Sequence, residues 1–281
     1  MNCKLNWNAK HPGHIVYLVD LSGSMERELN GKSLVDNVMN VLYSLFINLD
    51  EEVAATGEPS DLLSATVIGY NSDVEVLHKS ENGDEFDKFV YNVERTGVLF
   101  DPEKIKPQWQ TYMAAAFDAA AKDINEWLAK QKNQGKQTPA PVVINITDGK
   151  PEESGITIPQ AIDKALKAAE NLKSISTPDG NALLFNIHIT PNKAEKIILP
   201  SVEPTNDEFA KFLYKASSVI PSSLIDKAKH IWPDCTVTSE SKAMVSNEND
   251  VGSLLSFITW GSSTGGAVSS VSVRHVELPK P

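Results

Sequence analysis

The segment IVYLVDLSGSM, residues 15–25, joins five consecutive apolar residues to a polar turn that begins at Asp20. A short apolar run that stops at turn residues is typical of a strand buried on both faces, as in a parallel sheet. The segment VVINITDG, residues 142–149, repeats this arrangement and ends in Asp148 and Gly149. The two segments therefore predict two central strands, each followed at its carboxyl end by an aspartate.

Helical and strand patterns alternate over most of the remaining chain. Apolar residues three or four positions apart predict helices, and short runs rich in β-branched residues predict strands. Helices are predicted at residues 32–49, around 86–93, at 112–131, from Pro159 to about 172, at 208–214, at 222–231 and at 250–260. Further strands are predicted at 62–70 and 74–77, which form a hairpin, at 183–189 and at 243–245. This alternation predicts an α/β fold with a doubly wound, mostly parallel central sheet and helices on both faces.

The length of 281 residues is sufficient for one large domain. We predict a single domain over residues 1–260. Within it, residues 191–241 are longer than one crossover connection requires, and we expect them to form an insertion or a decorated edge of the sheet. Residues 261–281 begin with a run rich in glycine and serine, which predicts a flexible tail.

Composition and charge exclude several classes of protein. No stretch approaches about 18 uncharged apolar residues, so we expect no membrane span. The first residues, MNCKLNWNAKHPGH, show no secretory signal, and we therefore expect a cytoplasmic protein. The only cysteines are Cys3 and Cys235, too few for a disulfide framework. The formal net charge is −11 without a dense run of Lys or Arg, which argues against a nucleic-acid partner.

Oxygen-bearing side chains follow the predicted strands where each strand ends. Asp20, Ser22 and Ser24 form a D-x-S-x-S turn after the first strand, Thr111 precedes a helix, and Asp148 follows the second apolar strand. Ligands bind at the carboxyl ends of the strands in open α/β sheets, so these residues are candidates for one common site. Carboxylate and hydroxyl oxygens are hard ligands that suit Mg²⁺.

Several other motifs have simpler explanations. Gly31-Lys32-Ser33 resembles part of a phosphate loop, but Glu26 occupies the position of the required earlier glycine. Ser22 or Ser24 would need a histidine base to act as a nucleophile. His11 and His14 precede the first predicted strand, and we expect them to be solvated rather than to bind a metal.

The same residues resemble the von Willebrand factor type A (VWA) family. IVYLVDLSGSM, residues 15–25, is similar to the first strand and metal loop of that family, and TDGKP, residues 147–151, is similar to its later T/S-D-G-x-P loop. The resemblance implies a metal-ion-dependent adhesion site, or MIDAS, with Asp20, Ser22 and Ser24 as ligands of the first loop. It further implies Thr111 as the ligand of the second loop and Asp148 as that of the third.

The second loop departs from the family pattern. Many members have Gly-Gly-Thr there, whereas this chain has Trp109-Gln110-Thr111. Thr96, in the sequence Glu94-Arg95-Thr96-Gly97, is an alternative, but no clear long helix follows it. We therefore favour Thr111.

The resemblance also carries expectations about function. It implies a protein that is not an enzyme and recognises a protein partner through Mg²⁺, or Mn²⁺ or Ca²⁺, with the partner supplying an acidic side chain to the cation. The segment AMVSNENDVGSLLSFITW, residues 243–260, is similar to bacterial TerY-like proteins of tellurite and stress resistance clusters. Two alternatives remain: a Mg²⁺-dependent phosphoryl hydrolase, which would lack the second acid of a D-x-D turn, and a purely structural adaptor.

Overall fold

A seven-stranded sheet lies between two layers of helices. The computed structural model describes residues 5–55, 62–205, 207–263 and 276–279. The helices in these residues are α1 (Leu34–Ala55), α2 (Gly83–Thr96), α3 (Met113–Asn133), α4 (Ile158–Lys173), α5 (Glu208–Ala216), α6 (Ser222–Ile231) and α7 (Val251–Ser262). The strands are β1 (Gly13–Asp20), β2 (Glu28–Leu29), β3 (Lys32–Ser33), β4 (Leu63–Tyr70), β5 (Val74–Ser80), β6 (Val142–Thr147), β7 (Ser176–Thr177), β8 (Gly180–Asn181), β9 (Leu183–Ile189), β10 (Ile197–Ile198) and β11 (Met244–Glu248).

The strand order of the central sheet is β10-β11-β9-β6-β1-β4-β5. The five inner strands pair in parallel, and the two edge strands, β10 and β5, pair antiparallel with their neighbours. The predicted α/β class with a mostly parallel sheet is confirmed. The apolar strand β1 lies near the centre of this sheet and is completely buried.

Successive residues of β1 point into two different cores. Ile15 and Tyr17 pack in the core formed with α1, α2, α6 and α7. Val16 and Leu18 pack in the core formed with α3, α4 and α5. A strand covered on both faces needs apolar residues at consecutive positions, which explains the unbroken IVYLV run.

Several predicted elements differ from the observed ones at their ends. α1 begins at Leu34 instead of residue 32, because Lys32 and Ser33 pair with Glu28 and Leu29 in a small hairpin. The Gly31-Lys32-Ser33 motif belongs to this hairpin. α2 is longer than predicted, because Asn82 caps its first turn and Gly97 ends it with a φ of 69°.

The C-terminal helix packs on the sheet as its apolar pattern suggests. Its residues Leu254, Leu255, Phe257 and Ile258 are all at most 3% exposed. α7 ends at Ser262, two residues beyond the predicted limit of the domain at residue 260. Most of the predicted tail lies outside the described residues. Within the described part, the Ser44 hydroxyl on α1 donates to the Val276 carbonyl at 2.7 Å and accepts from the Val276 N–H at 3.0 Å.

Residues 191–241 contribute to the edge of the sheet and to the helix layers on both of its faces. β10 adds an antiparallel edge strand beside β11, α5 packs against β9 and β11, and α6 packs against α7. Among the described residues, no helix combines the length and the hydrophobicity that crossing a bilayer requires.

The expectation that His14 is solvated is wrong. His14 lies on β1 and is 2% exposed. Its Nδ1 is 2.8 Å from the Ser64 hydroxyl and its Nε2 is 2.9 Å from Asp123 Oδ2. Lys79 donates a 2.8 Å hydrogen bond to the other oxygen of Asp123. This buried polar cluster fixes α3 against β1 and β5.

Replacing Asp123 with asparagine should change the pH dependence of stability. Burial alone would raise the pKa of Asp123, but the hydrogen bonds and charges of His14 and Lys79 outweigh it and hold the pKa well below its usual range. Such a carboxylate stabilises the fold above its unfolded pKa of about 4, and the stabilisation is lost as the pH falls below that value. Urea titrations should show that the free energy of unfolding falls less steeply from about pH 5 to pH 2 in Asp123→Asn than in the parent.

The exposed Asp118, on the same helix, provides the matched control. Asp118→Asn should follow the parent across this range. Parallel curves for Asp123→Asn and the parent would contradict the assigned role of the cluster.

Candidate metal centre

The first and third candidate loops meet because β1 and β6 are parallel neighbours. Val19 on β1 is paired with Ile146 on β6, so Asp20 and Thr147 end the two strands side by side. Both strands enter their loops at the same edge of the sheet. The two conspicuous aspartates of the sequence, Asp20 and Asp148, are thereby brought to one place.

Hydrogen bonds hold the first loop in a compact turn. The backbone N–H of Ser22 donates to Asp20 Oδ1 at 2.8 Å. A short 3₁₀ helix, Gly23–Glu26, follows directly. It places the Ser24 hydroxyl 3.1 Å from the Ser22 hydroxyl. Asp20 and the two serines therefore form one connected group.

The third loop is bonded to the first through two side chains. The Ser24 hydroxyl donates to Asp148 Oδ1 at 2.7 Å. The Thr147 hydroxyl donates to Asp20 Oδ2 at 2.6 Å. These contacts join residues more than 120 positions apart in the chain and bring Asp148 into the group around Asp20.

Thr111 is brought to the same edge by two backbone attachments of the second loop. The N–H of Gln108 donates to the carbonyl of Leu21 at 2.8 Å, which attaches this loop to the first. Thr111 and Glu152 exchange two backbone hydrogen bonds of 3.1 Å, which attach it to the third. Thr111 is 5% exposed and lines the same cleft as Ser22, Ser24 and Asp148.

The alternative residue, Thr96, lies elsewhere. It is the last residue of α2, and its hydroxyl donates to the carbonyl of Asn92 at 2.8 Å within that helix. It is exposed and does not line the cleft. The structure therefore groups Thr111, and not Thr96, with the other four candidates.

The electrostatic environment of Asp20 is unfavourable for an isolated carboxylate. Asp20 is 0% exposed. The pKa of Asp20 is raised to about 7, mainly by burial and secondly by the negative charge of Asp148. Hydrogen bonds from Thr147 and Ser22 act in the opposite direction. A cation placed between the loops would offset both effects that raise this pKa.

An open cleft of about 620 Å³ lies above this group. Ser22, Ser24, Thr111 and Asp148 line it, while Asp20 is buried and contacts Ser22 and Thr147. The remaining lining residues mix charged and apolar side chains and include Glu26, Arg27, Pro107, Trp109, Lys150, Glu152 and Ile158. Ser24 is the exposed candidate in this lining, whereas Ser22, Thr111 and Asp148 border the cleft with at most 5% of their surface exposed.

The donor set fits a small, hard divalent cation. It contains two carboxylates and three hydroxyl groups, all of them oxygen donors, which Mg²⁺ and Mn²⁺ accept. Within the described ranges, no three residues of the types His, Cys, Asp and Glu form a metal-binding group. A cation at this edge would therefore depend on the serine and threonine hydroxyls and on water as well as on the two aspartates.

Two further residues belong to this site. Thr147 belongs to the TDG motif but is not among the ligands predicted from the sequence. Its position at the end of a strand, directly before Asp148, is the feature that could have indicated it. Arg27 has no counterpart among the site residues predicted from the sequence. Its guanidinium Nη2 lies 2.8 Å from Asp148 Oδ2 and 3.2 Å from the Asp148 carbonyl. Arg27 follows the 3₁₀ helix of the first loop and contacts the third loop, a long-range contact that no local sequence pattern indicates.

Comparisons with known proteins bear on the fold. No protein-family model and no curated protein sequence matches this chain. The open conformation of the pilus adhesin SpaC from Lactobacillus rhamnosus GG is 12% identical, with a TM-score of 0.54, over 94% of this chain and 31% of the SpaC chain. A von Willebrand factor type A structure from Catenulispora acidiphila is 12% identical, with a TM-score of 0.45, over 92% of this chain and 43% of that one.

A third similar structure is that of the manganese-loaded Plasmodium vivax TRAP protein. It is 19% identical, with a TM-score of 0.44, over 85% of this chain and 79% of that one. Identities this low show the fold alone. Of these three matches, the one to SpaC has a TM-score above 0.5, and it supports the α/β fold with a mostly parallel seven-stranded sheet and helices on both faces.

Metal binding can be tested with single substitutions of the candidate ligands. Mg²⁺ or Mn²⁺ should raise the melting temperature of the parent, because a ligand that binds only the folded chain stabilises it. Asp20→Asn and Asp148→Asn should weaken the cation affinity measured by calorimetry at least about a hundredfold, and Thr111→Ala about tenfold.

Thr96→Ala is the matched control for the loss of a threonine hydroxyl. Its affinity for the cation should equal that of the parent. Unchanged affinity in Asp20→Asn would show that the cation binds elsewhere, and equal losses in Thr96→Ala and Thr111→Ala would remove Thr111 from the ligand set.

Arg27→Gln should bind the divalent cation several-fold more tightly than the parent. The guanidinium places a positive charge on Asp148, and a cation at the site would be repelled by it. Calorimetry at low and moderate salt measures the difference, which should shrink as salt increases because the Arg27 side chain is 39% exposed. Equal or weaker affinity in Arg27→Gln would show that Arg27 instead supports the metal-binding geometry.

Proposed function

We propose that this chain is a metal-dependent protein-binding module. One observation carries the proposal: two aspartates and three hydroxyl residues from three separate loops meet at the carboxyl edge of the sheet, beneath an open cleft. The proposed ligands, directly or through water, are Asp20, Ser22, Ser24, Thr111 and Asp148. The family resemblance of the first and third loops supports the same assignment.

The charge balance of this site supports an acidic partner. Among the proposed ligands, Asp20 and Asp148 carry the negative charges, and Arg27 already neutralises part of the charge of Asp148. Hydroxyl ligands add no charge, so a bound Mg²⁺, or Mn²⁺ or Ca²⁺ in its place, would keep an excess of positive charge at its own position among these ligands, while Lys150 balances one of the two glutamates, Glu26 and Glu152, that also line the cleft. A carboxylate offered by a partner would balance this charge and complete the coordination of the cation.

The lining of the cleft supports binding without bond chemistry. It contains neither histidine nor cysteine among the residues that the structure describes. Ser22 and Ser24 are hydrogen-bonded to each other, and Ser24 donates to Asp148, so neither is paired with an imidazole base. A protein that only recognises its partner needs no such base.

The biological setting is part of the proposal. The similarity of residues 243–260 to TerY-like proteins supports a bacterial, cytoplasmic protein acting in a stress or tellurite resistance system. Genes for such a system beside the gene for this chain would support that setting. A gene neighbourhood of unrelated type would contradict the setting but would leave the metal site unaffected.

Paramagnetic line broadening tests whether the bound cation accepts a carboxylate. The probes are N-acetyl-aspartate N-methylamide and the matched asparagine compound, each observed by proton NMR with Mn²⁺-loaded protein. The parent should broaden the aspartate probe well beyond the asparagine probe, and EDTA should abolish the difference. Thr96→Ala should behave as the parent, and Asp20→Asn should broaden neither probe beyond free Mn²⁺.

Two outcomes would contradict the proposed function. Equal broadening of both probes would show that the cation does not select a carboxylate. Steady hydrolysis of p-nitrophenyl phosphate by the Mg²⁺-loaded parent, lost in Asp20→Asn, would replace the binding module with the phosphoryl hydrolase.

A further inference from the structure

An exposed tryptophan stands beside the candidate metal centre. Trp109 is 92% exposed, whereas the other four tryptophans of the chain are each at most 8% exposed. Single exposed apolar residues are ordinary on protein surfaces. The position of Trp109 is not ordinary, because it lines the same cleft as Ser24, Thr111 and Asp148.

The backbone that carries Trp109 is fixed on both sides. The preceding residue, Gln108, is bonded through its N–H to the carbonyl of Leu21. Two positions after Trp109, Thr111 is bonded in both directions to Glu152. The indole is thus carried by a backbone that is attached to the first and the third candidate loops. Binding through such a side chain requires little ordering of the loop.

A second apolar side chain lines the cleft. Ile158 is 46% exposed and is the first residue of α4. Thr157, which precedes the helix, donates from its N–H and its hydroxyl to Gln160 Oε1 at 2.8 and 3.0 Å, and these bonds hold this end of the helix. Trp109 and Ile158 therefore offer apolar side chains, carried by hydrogen-bonded backbone, beside the polar candidate ligands that line the same cleft. Aromatic anchors next to a polar group are typical of the residues that carry most binding energy in protein interfaces.

We infer that Trp109 and Ile158 form an apolar anchor site for a partner segment in which an acidic residue is adjacent to an aromatic or aliphatic residue. The inference rests on the proposed function, because the acidic residue is the one offered to the cation. The neighbouring apolar side chain packs on the indole. Trp109 thereby determines which acidic segments bind, and the metal determines that the segment is acidic.

Charge argues against the other occupants of this surface. A second copy of the chain would bring another net charge of −11, which disfavours self-association at long range. An anionic membrane surface is repelled for the same reason. A short acidic segment carries far less charge, and in the cleft that receives it Arg27 and Lys150 accompany Glu26 and Glu152, so that the bound cation supplies the attraction for the acidic residue.

Selection from a phage-displayed random peptide library tests the inference with ligands that are not chosen in advance. Selections in Mg²⁺ would use the parent, Trp109→Ala, Thr111→Ala and Tyr91→Ala. Tyr91 is 63% exposed on α2, away from the cleft, and provides the matched control for the loss of an exposed aromatic residue. Peptides from the parent and from Tyr91→Ala should contain Asp or Glu next to an aromatic or aliphatic residue.

The two variants at the site should fail in different ways. Trp109→Ala should retain the affinity for Mg²⁺ and the enrichment of Asp and Glu but lose the preference for the apolar neighbour. The best peptide of the parent should bind Trp109→Ala at least about tenfold more weakly. Thr111→Ala, with its weaker cation binding, should show less enrichment of Asp and Glu than the parent in the same Mg²⁺ concentration.

Tryptophan fluorescence gives an independent measurement. Because Trp109 is the exposed tryptophan among five, acrylamide quenching of the parent should fall when the selected peptide binds in Mg²⁺. No such change should occur in EDTA or in Trp109→Ala.

The results separate failure of this inference from failure of the proposed function. Acidic, Mg²⁺-dependent peptides that lack an apolar neighbour, or that bind Trp109→Ala as tightly as the parent, would overturn the inference alone. Peptides that lack Asp and Glu and bind equally in EDTA would overturn the proposed function and the inference with it. Self-association of the parent in ultracentrifugation, lost in Trp109→Ala, would overturn the inference in favour of a second copy.

Discussion

The parallel pairing of β1 with β6 is the constraint on which the candidate site depends. It aligns the ends of the two most apolar strands, so that Asp20 and Thr147 emerge side by side and Asp148 follows one residue later. The 2.6 Å hydrogen bond from Thr147 to Asp20 is a direct result of this alignment. A shift of one residue in the pairing would turn the side chains of β1 to the opposite faces of the sheet. It would disrupt both cores and the site together.

The same alignment places a buried charge where the fold alone gains little from it. Asp20 is fully buried and lies near a second carboxylate, which is an unfavourable arrangement for stability. The surrounding residues reduce this penalty only in part, through Thr147, the backbone of Ser22 and the pairing of Arg27 with Asp148. A local cost of this kind is common at binding sites, where the ligand supplies the missing interaction.

Much of this arrangement could be predicted from the sequence, because strong local patterns encode it. The uninterrupted IVYLV and VVINIT runs predict buried strands, and the strand bounds Val142–Thr147 agree with the structure. The D-x-S-x-S turn and Asp148 directly follow such strands, so their proximity follows from the rules of open α/β sheets. Thr111 was harder to place, because its attachment to Glu152 involves backbone atoms that no side-chain pattern reveals.

Other features depend on long-range contacts that local patterns do not encode. His14 lies just before the IVYLV run, and its burial depends on Ser64 and Asp123, which are distant in the sequence. Arg27 directly follows the 3₁₀ helix Gly23–Glu26 and contacts Asp148, which is 121 positions away in the sequence. The exposure of Trp109 could not be predicted from the sequence either, because an aromatic residue in a loop is as compatible with a core position as with a binding surface.

The central claim is that one divalent cation binds between the three loops. A crystal of the full chain grown with Mn²⁺ and measured at the manganese absorption edge tests it most directly. The account predicts an anomalous peak at the carboxyl edge of the sheet, within coordination distance of the Ser22 and Ser24 hydroxyls and next to Asp20, Thr111 and Asp148. A fully occupied manganese peak elsewhere on the molecule, with Arg27 still bound to Asp148 and no peak between the loops, would contradict it.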